Sequence, residues 1–552
     1  MGLFKRLTIL FCLSCSLLYS EDIEKKQLLF LMHAGEYKQA FSKYLSYYQG
    51  KTFDFEVLQE MCLVLLDKGS KNNNSEIVQL SLLGAGFASS NKSIEILERG
   101  IDSSDYQTQL ISLYFTNFIH DDKNEDLLKK AINSYFLPTK FEAAYQMATH
   151  KYSFAAGEIE ALMYKLPPYF KVFFPSLFTM IGSTEANILL KDLLYDENNF
   201  VRAACILSIA KFKRDDLLPI IRRKLTLSNL LEQETCVFAL GLLKDSTCIE
   251  TIKHFSHNSA DNIRIASCVA LNRLGVDSTN DLKNLAEKGN LNAIYALKDF
   301  ENVQDLLYSL LKSKNIDIRY NSALALLEKK DSRALDIILE ILINNEDLGI
   351  YPVYSPGKSL MHWKTITSAS IRKESEYNPE YFRFVKQSIL KQAVELNEKD
   401  FLTIARIIFE TDQLELIPTL SSLLENINTK EAINLLTYYS DKIGSPLIRN
   451  YCNLSLYKLN QEGPYETRIK NFLLANIKEE MIKFHPLLPR QIDDISIYSL
   501  NPLETSNLLM DIFEALASKQ DEKSIKTVIE AIQKTNSHNR YVLAGILIRA
   551  TQ

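Results

Sequence analysis

His254 and His257 are the residues of this 552-residue chain whose spacing most suggests chemistry, because side chains three positions apart share one face of a helix. Cys248 lies six positions before His254, so binding of a metal ion is the chemistry that these three side chains could support. A zinc site needs three or four ligands, and no further ligand stands nearby at a suitable spacing. Surface histidines at a helix end are the favoured interpretation, and we predict no metal site.

A second segment, Gly84-Ala85-Gly86-Phe87-Ala88-Ser89, partly matches the glycine pattern that holds dinucleotide phosphates. Ser89 replaces the third glycine, and the residues before the segment fit a helix instead of the strand that the pattern should follow. Small residues that let two helices pack closely are the better explanation. The chain also has no G-x-S-x-G, no phosphate loop and no H-E-x-x-H motif. We therefore predict that the protein is not an enzyme and has no catalytic residues and no cofactor.

Five arginines share a local pattern in which an aliphatic residue follows seven positions, or nearly two helical turns, after the arginine. They are Arg202, Arg264, Arg319, Arg449 and Arg540. Residues at this spacing lie on nearly the same helix face, so the arginines could form a basic stripe that holds an acidic partner.

The elements that carry these residues should be helices, because 17 Gly and 14 Pro in the whole chain are few for a fold with frequent turns. A β-sandwich or propeller, which needs a turn about every 8–12 residues, is disfavoured for this reason. The 63 basic and 68 acidic residues leave a net charge of −5, which argues against a nucleic acid as the partner. The six cysteines after residue 20 have no C-x-x-C spacing, so neither a zinc site nor a disulfide framework is predicted.

The middle of the chain contains repeats, which recur with near-constant spacing in residues 196–342. Each copy ends in a small residue followed by an aliphatic anchor, and the anchors are spaced 31, 31, 26 and 29 residues apart. The anchors are Ile209, Leu240, Leu271, Leu297 and Leu326. Each step has room for a second amphipathic segment, so the unit is two antiparallel helices. One such pair cannot bury its apolar face alone, and stacking of pairs yields a superhelix.

These repeats resemble the HEAT repeat family, in the short bacterial form also found in phycobilisome-lyase-like repeats, whose second helix opens with a similar Val-Arg-x-x-Ala stretch. The resemblance implies an all-α fold, an α-α superhelix or HEAT-like solenoid of stacked antiparallel helix pairs. It also implies that each arginine bonds an acidic or carbonyl group of the neighbouring repeat, with Asp196 and Asp317 as candidates, so a structural ladder is favoured over a basic stripe. Residues 34–44, which include Gly35 and Ala40, resemble part of a tetratricopeptide repeat.

Residues 1–20 have the three parts of a secretory signal peptide: the basic Lys5 and Arg6, an apolar run over Leu7–Tyr19, and the small Ser20. We predict export to the periplasm, the envelope or the medium after cleavage near Ser20. The apolar run is shorter than the roughly 20 residues that span a bilayer. A poor lipobox around Cys15 leaves lipid anchoring, or peripheral membrane association, as a less favoured alternative.

The sequence predicts five regions: a signal peptide (1–20), an N-terminal helical region with the tetratricopeptide-like unit (21–164), HEAT-like repeats (165–346), an irregular basic and aromatic insertion (347–379) and degenerate C-terminal helical repeats (380–552). The insertion is a candidate partner site, because aromatic residues and Arg dominate interface hot spots. Its candidate residues are Tyr354, His362, Trp363, Lys364, Arg372 and Lys373. The favoured alternative is a connector in which Trp363 folds back onto the neighbouring helices.

The function expected from these features is that of an exported, non-enzymatic repeat scaffold that binds a protein or envelope partner along its solenoid surface. The alternative rests on the resemblance alone and is a lyase-like protein that handles a tetrapyrrole or another cofactor.

Overall fold

The computed structural model describes residues 23–118, 123–344, 348–352, 364–368, 379–484 and 500–552. The signal peptide predicted over residues 1–20 lies outside these ranges, and so do Tyr354, His362, Trp363, Arg372 and Lys373. Most of the described chain is helical, which confirms the prediction of an all-α helical repeat fold. None of the described helices is both long and apolar enough to cross a membrane.

The helices alternate with short turns, several of which are single 3-10 turns. In chain order they are α1 (23–34), α2 (Tyr37–Tyr47), α3 (Phe55–Ser70), α4 (Ser75–Phe87), α5 (Ile94–Ile101), α6 (Tyr106–Thr116), α7 (Asn124–Ala131), α8 (Leu137–His150), α9 (Ala155–Lys165), α10 (Phe174–Ile181), α11 (Thr184–Leu193), α12 (Asn199–Lys211), α13 (Leu218–Leu227), α14 (Leu230–Leu242), α15 (Ile249–Phe255), α16 (Asp261–Arg273), α17 (Thr279–Glu287), α18 (Leu291–Ala296), α19 (Gln304–Leu310), α20 (Ile316–Glu328), α21 (Leu335–Ile343), α22 (Pro379–Ala393), α23 (Glu398–Glu410), α24 (Ile417–Ile427), α25 (Lys430–Asp441), α26 (Pro446–Lys458), α27 (Tyr465–Asn476), α28 (Pro502–Lys519), α29 (Glu522–Lys534) and α30 (Asn539–Ala550).

The contacts divide the chain into two units. Unit 1 combines the residues up to Met147 with those from Ile443 to Gln552, and unit 2 is Ala148–Lys442. This division differs from the five consecutive regions that the sequence suggests, because the N-terminal and C-terminal helices belong to one unit.

The predicted repeats correspond to α11–α20, which are part of unit 2. Along the series α12, α14, α16, α18 and α20, each helix packs against the next helix of the series. The helix that precedes each of them packs against it as the antiparallel partner. The five anchors that the sequence identifies are all buried, so they hold the repeats together through their apolar side chains.

The turn after these helices has one recurring geometry. The residue four positions after an anchor adopts a left-handed conformation, with φ between 55° and 79°, at Lys213, Lys244, Gly275 and Lys330. The next backbone N–H then donates to the carbonyl of the anchor, for example from Asp245 to Leu240 at 3.0 Å. This is the hydrogen bond of a Schellman helix end. Lysine occupies three of the four left-handed positions, which is why this turn recurs in a chain with few glycines.

The other end of these helices is held by asparagine caps. The side chains of Asn198, Asn229, Asn290 and Asn315 each accept a hydrogen bond from a backbone N–H of the first turn. The sequence pattern places Asn290 where three of the other copies have arginine and one has Gln233, whereas the structure makes it the cap of α18. Because α18 has only 6 residues, against 13 in α12, the position seven residues before the anchor falls just before the start of α18 and not inside the helix.

A two-stranded antiparallel hairpin lies in the region for which the sequence predicts irregular structure. Its strands are β1 (Leu348–Pro352) and β2 (Lys364–Ser368), with Leu348 opposite Ser368 and Pro352 opposite Lys364. The second strand contacts α18 and α20, and the first contacts α22. The β-branched residues of Lys-Thr-Ile-Thr-Ser favour this extended backbone, a local preference that the search for helical periodicity does not detect.

In unit 1 the two ends of the described chain pack together, because α30 contacts α3, α4, α28 and α29. The Gln59 amide donates to the Thr551 carbonyl at 2.9 Å and so joins α3 to the end of α30. Gly84 and Gly545 face each other where α4 crosses α30, and neither position has room for a Cβ atom. The glycines of the partial dinucleotide pattern therefore serve close helix packing, as the favoured interpretation predicts.

Candidate functional site

A surface in unit 2 combines exposed aromatic side chains with cations. We call it the aromatic–basic surface and define it by Tyr169, Phe173, Tyr195, Arg223 and Lys224. The first two residues are 67% and 55% exposed, and Tyr195 is 56% exposed. Rings of this size usually lie inside a monomeric protein or at an interface, so their exposure marks a candidate contact surface.

The aromatic part begins with a break in the repeat pattern. Pro167 and Pro168 end the preceding helix, and the chain forms a 3-10 turn over Pro168–Phe173. This turn presents Tyr169 and Phe173 to solvent, while Phe174 after it is buried in the core. The prolines thus separate a short turn of outward-facing rings from the repeats that follow.

An ion pair joins this turn to the first clear repeat. Lys171 Nζ lies 3.0 Å from Asp196 Oδ2, and the Asp196 carbonyl accepts a hydrogen bond of 2.6 Å from Arg202 Nη1. Tyr195 is next to Asp196 in the chain, so its exposed ring lies one residue from this ion pair. The three basic residues Arg202, Arg223 and Lys224 follow on α12 and α13.

Arg202 connects its own repeat to the next one through a two-pronged ion pair. Its Nη2 lies 2.5 Å from Oε1 of Glu232, and its Nε lies 3.1 Å from Oε2. Ser228 Oγ and Asn229 Nδ2 donate to the same carboxylate at 3.2 and 3.1 Å. The Glu232 side chain is only 2% exposed, so this charge is stable in the interior because it is neutralised and fully hydrogen-bonded.

Lys224 and Arg223 are the cations of this surface that make no hydrogen bond to Glu232, although Lys224 is within ion-pair distance of it. The Lys224 ammonium lies 3.8 Å from Glu232 Oε2, which is beyond hydrogen-bonding distance. Burial lowers the pKa of Lys224, and the positive charge of Arg202 lowers it further against the opposing effect of Glu232. The Arg223 guanidinium donates to the Tyr195 hydroxyl, and the Lys224 ammonium lies 5.0 Å from the centre of the Tyr195 ring.

A cavity of about 270 Å³ opens between these groups. It is lined by Tyr195, Arg202, Arg223, Lys224, Ser228, Asn229 and Glu232. We call it the Lys224 pocket. With three cations and one carboxylate it has a formal charge of +2, although the chain as a whole has a net charge of −5. Its chemistry is therefore suited to an anion.

The other four arginines of the predicted ladder have different surroundings. Arg264 pairs with Asp261 of its own helix at 3.2 Å, and Asp261 also accepts from Asn290 of the next repeat. Arg319 lies 2.9 Å from Glu340 on α21.

In unit 1 the Arg449 carbonyl accepts from Asn453. Arg540 lies over the ring of Tyr37, 5.3 Å from its centre, and burial lowers the pKa of its guanidinium. The five arginines are therefore divided between two units and have different partners.

Of the residues predicted for partner binding in the insertion, one lies within the described structure. Lys364 is the first residue of β2. The other five, Tyr354, His362, Trp363, Arg372 and Lys373, lie outside the described residues. Their proposed role stays a prediction.

The histidine pair lies at the end of α15, with His254 in its last turn and His257 just beyond it. In the described part of the chain no group of three or more His, Cys, Asp or Glu side chains is arranged to hold a metal ion. Cys62, Cys205, Cys236, Cys248, Cys268 and Cys452 are buried and free.

Unit 2 also contains a larger groove, of about 1010 Å³, between α23 and α25. Its walls mix both charges, with Lys399 and Arg406 opposite Glu431 and beside Glu410. Tyr439 donates to Glu410 at 3.4 Å, and burial is the main reason why the pKa of Tyr439 rises to about 12. The mixed charge gives this groove less selectivity for one class of ligand than the Lys224 pocket has.

Sequence reasoning missed the aromatic–basic surface, although a compositional pattern marks it. The stretch Pro-Pro-Tyr-Phe-Lys-Val-Phe-Phe-Pro holds four aromatic residues among three prolines. Arg202 was identified, but Arg223 and Lys224 were not, because they lie on α13, outside the repeated pattern.

Comparison with known proteins adds no family. No protein-family model matches the chain, and no curated protein matches it. Among solved structures the chain is similar to one described as "Homology model of the full-length AP-3 complex in an intermediate open conformation", with 14% identity, a TM-score of 0.28, and coverage of 93% of this chain and 94% of that one. A TM-score this low carries no argument about function, so the chain's own geometry must support any conclusion.

Proposed function

We propose that this protein is an exported, non-enzymatic helical repeat scaffold that binds a protein partner, with the aromatic–basic surface as a principal contact. The observation that carries the proposal is the concentration of exposed aromatic side chains in one part of the chain. Of the fourteen Tyr and Phe side chains that are strongly exposed in the described structure, nine lie between Tyr106 and Tyr195. Tyrosine and other aromatics supply large contact area at low entropy cost and are enriched in interface cores.

Both units contribute to this concentration. In unit 1 the exposed rings are Tyr106, Tyr114, Phe118, Tyr135 and Tyr145. Tyr114 and Phe118 contact each other, with ring centres 5.2 Å apart, and so form a small apolar patch at the end of α6. In unit 2 the rings are Tyr164, Tyr169, Phe173 and Tyr195. Isolated exposed rings need no explanation, but several within a short segment of one unit favour binding there.

Photocrosslinking of the mature chain in its native compartment tests the proposal. A benzoylphenylalanine at Tyr169 should couple to one discrete protein, which mass spectrometry then identifies. Phe212 is the matched control, since it is an exposed ring at the far end of α12, about 15 Å along the helix from Arg202. Benzoylphenylalanine at Tyr438 reports separately on the groove between α23 and α25. Equal coupling at Tyr169 and Phe212, or coupling to no protein, would contradict the proposal.

Export forms the second part of the proposal, supported by the signal-peptide pattern of residues 1–20. N-terminal sequencing of the protein from its native source should begin at Glu21. A chain that retains Met1 would contradict export by cleavage. Incorporation of a palmitate analogue that is lost in Cys15→Ser would favour the lipid-anchored alternative instead.

A further inference from the structure

Glu232 has no remaining capacity to accept hydrogen bonds. Its Oε1 accepts from Arg202 Nη2 and Asn229 Nδ2, and its Oε2 accepts from Arg202 Nε and Ser228 Oγ. A carboxylate has about four lone-pair positions, so these four bonds fill them. The Lys224 ammonium therefore cannot donate a hydrogen bond to Glu232. The distance of 3.8 Å between Lys224 Nζ and Glu232 Oε2 agrees with this.

Lys224 is consequently an ammonium with unused donors at the wall of a cavity. Its side chain is 12% exposed, and within the described residues no hydrogen bond reaches its Nζ. An ammonium carries three donors, and holding it away from water without a close acceptor is costly. The Tyr195 ring faces the charge, but at 5.0 Å it replaces only part of the lost hydration.

We infer that the Lys224 pocket binds the carboxylate of an acidic side chain supplied by the protein partner; the inference rests on the function proposed above. The carboxylate would accept hydrogen bonds from Lys224 and lie near Arg223. The neighbouring apolar residues of the partner would contact Tyr195 and the rings of the 168–173 turn.

The size and surroundings of the pocket favour an acidic side chain over a free anion. At about 30 Å³ per water molecule, a volume of 270 Å³ corresponds to about nine waters, which is room for a side chain but not for a folded segment. A free anion would use the cations and leave the exposed rings of Tyr169 and Phe173 without a contact. Charge complementarity also agrees, since a carboxylate reduces the local charge from +2 to +1.

The test uses the full mature chain and three pools of twelve-residue peptides with random flanking positions. The central residue is Glu in the first pool, Gln in the second and phosphoserine in the third. A carbodiimide, which joins an amine to a carboxylate in contact with it by forming an amide with loss of water, is added and the products are mapped by mass spectrometry. Lys224→Gln is the pocket variant, and Lys288→Gln removes one exposed lysine of the same unit as the matched control.

We expect a Lys224–Glu amide at least about tenfold more abundant than any amide at Lys288. Retention of the Glu pool should fall about tenfold in Lys224→Gln, because a hydrogen bond to a charged group is lost, and stay unchanged in Lys288→Gln. Lys224→Gln should fold normally, since its ammonium makes no hydrogen bond in the described structure, and thermal unfolding verifies this.

Two results would overturn the inference: equal retention of the Glu and Gln pools, or displacement of the Glu pool by the phosphoserine pool or by inorganic phosphate. The two proposals fail separately. If photocrosslinking at Tyr169 identifies a partner while Lys224 forms no amide, only the carboxylate site is wrong. Suppose instead that Lys224 couples to the Glu pool, and that Tyr169→Ala changes neither the retention of this pool nor the yield of the Lys224–Glu amide. The anion pocket then stands and the aromatic contact surface is wrong.

Discussion

Replacement of Gly545 by alanine should separate α30 from α4 and thereby loosen the junction between the two ends of the chain. A Cβ atom at this position would lie 1.9 Å from the Gly84 carbonyl oxygen and 2.8 Å from the Gly84 Cα. Both obstacles are backbone atoms, which cannot rotate away as the end of a side chain can. The helices would have to move apart by about 1.5 Å to reach the 3.4 Å at which ordinary contacts begin.

The magnitude follows from two opposing effects. Alanine is better than glycine in a helix interior by about 1 kcal/mol. Adding a methylene to a packed interior costs about 1–3 kcal/mol, and more where the backbone must shift. Because α30 also contacts α3, α28 and α29, the shift disturbs several interfaces. We expect a net loss of about 2 kcal/mol in the local free energy of unfolding.

Native-state hydrogen exchange of the mature chain measures this locally and needs no two-state unfolding of the whole chain. Amides of α4 and α30 should lose about 30-fold in protection, which corresponds to 2 kcal/mol at about 1.4 kcal/mol per factor of ten. Gly157→Ala is the matched control, since Gly157 lies in α9 with nothing within 4 Å of an added Cβ, and protection there should rise. An equal gain in hydrogen-exchange protection in Gly545→Ala and Gly157→Ala would refute the close crossing of α4 and α30.

Three further predictions concern unit 2. Burial tends to raise the pKa of Asp245, but hydrogen bonds, chiefly from Arg222, lower it from 3.8 to about 2. About 2 kcal/mol of stability that is present above pH 4 should therefore be lost between pH 4 and pH 2. Urea unfolding across this range should show no such loss in Asp245→Asn, and a loss in Asp245→Asn parallel to that of the unaltered chain would contradict the role given to Asp245. Glu232→Gln should lower the free energy of unfolding by about 3 kcal/mol, because it leaves buried cations unpaired. Lys224→Met should lower it by less than about 0.5 kcal/mol. Similar denaturation midpoints for the two variants would argue against the different roles that we give Glu232 and Lys224. Lys330→Gly should raise the free energy of unfolding slightly, by about 0.5 kcal/mol, because a left-handed residue with a side chain is strained. A lower free energy of unfolding would mean that the lysine side chain contributes more than the strain costs.

The regular part of the fold could be predicted because repeated packing imposes repeated residues. Each anchor must fill the space between neighbouring helices, so an aliphatic residue recurs at Ile209, Leu240 and Leu271 and the helix pair can be inferred from the spacing. The left-handed turns could not be predicted in the same way. Lysine at Lys213 and Lys244 carries no propensity for this conformation, and the hydrogen bond to the anchor carbonyl is what maintains it.

The packing of α30 against α3 and α4 could not be predicted from the sequence, for a different reason. It depends on two glycines 461 positions apart, Gly84 and Gly545, and each has a local explanation that makes no reference to the other. A single sequence contains no information that couples such distant positions. The Gly-Ala-Gly segment correctly indicated close helix packing, but only the structure identifies the helix that packs there.

The candidate site lies where the chain departs from its own repeat, and there is a physical reason for this. A residue that recurs in several repeats is used to join repeats: Arg202 uses four of its five guanidinium N–H donors on Glu232 and on the carbonyls of Asp196 and Glu197, so it has little left for a ligand. Lys224 lies on α13 and is not part of the repeated pattern, so its donors remain for a ligand. In a stacked array of this kind, binding residues are therefore to be sought beside the repeated positions and not at them.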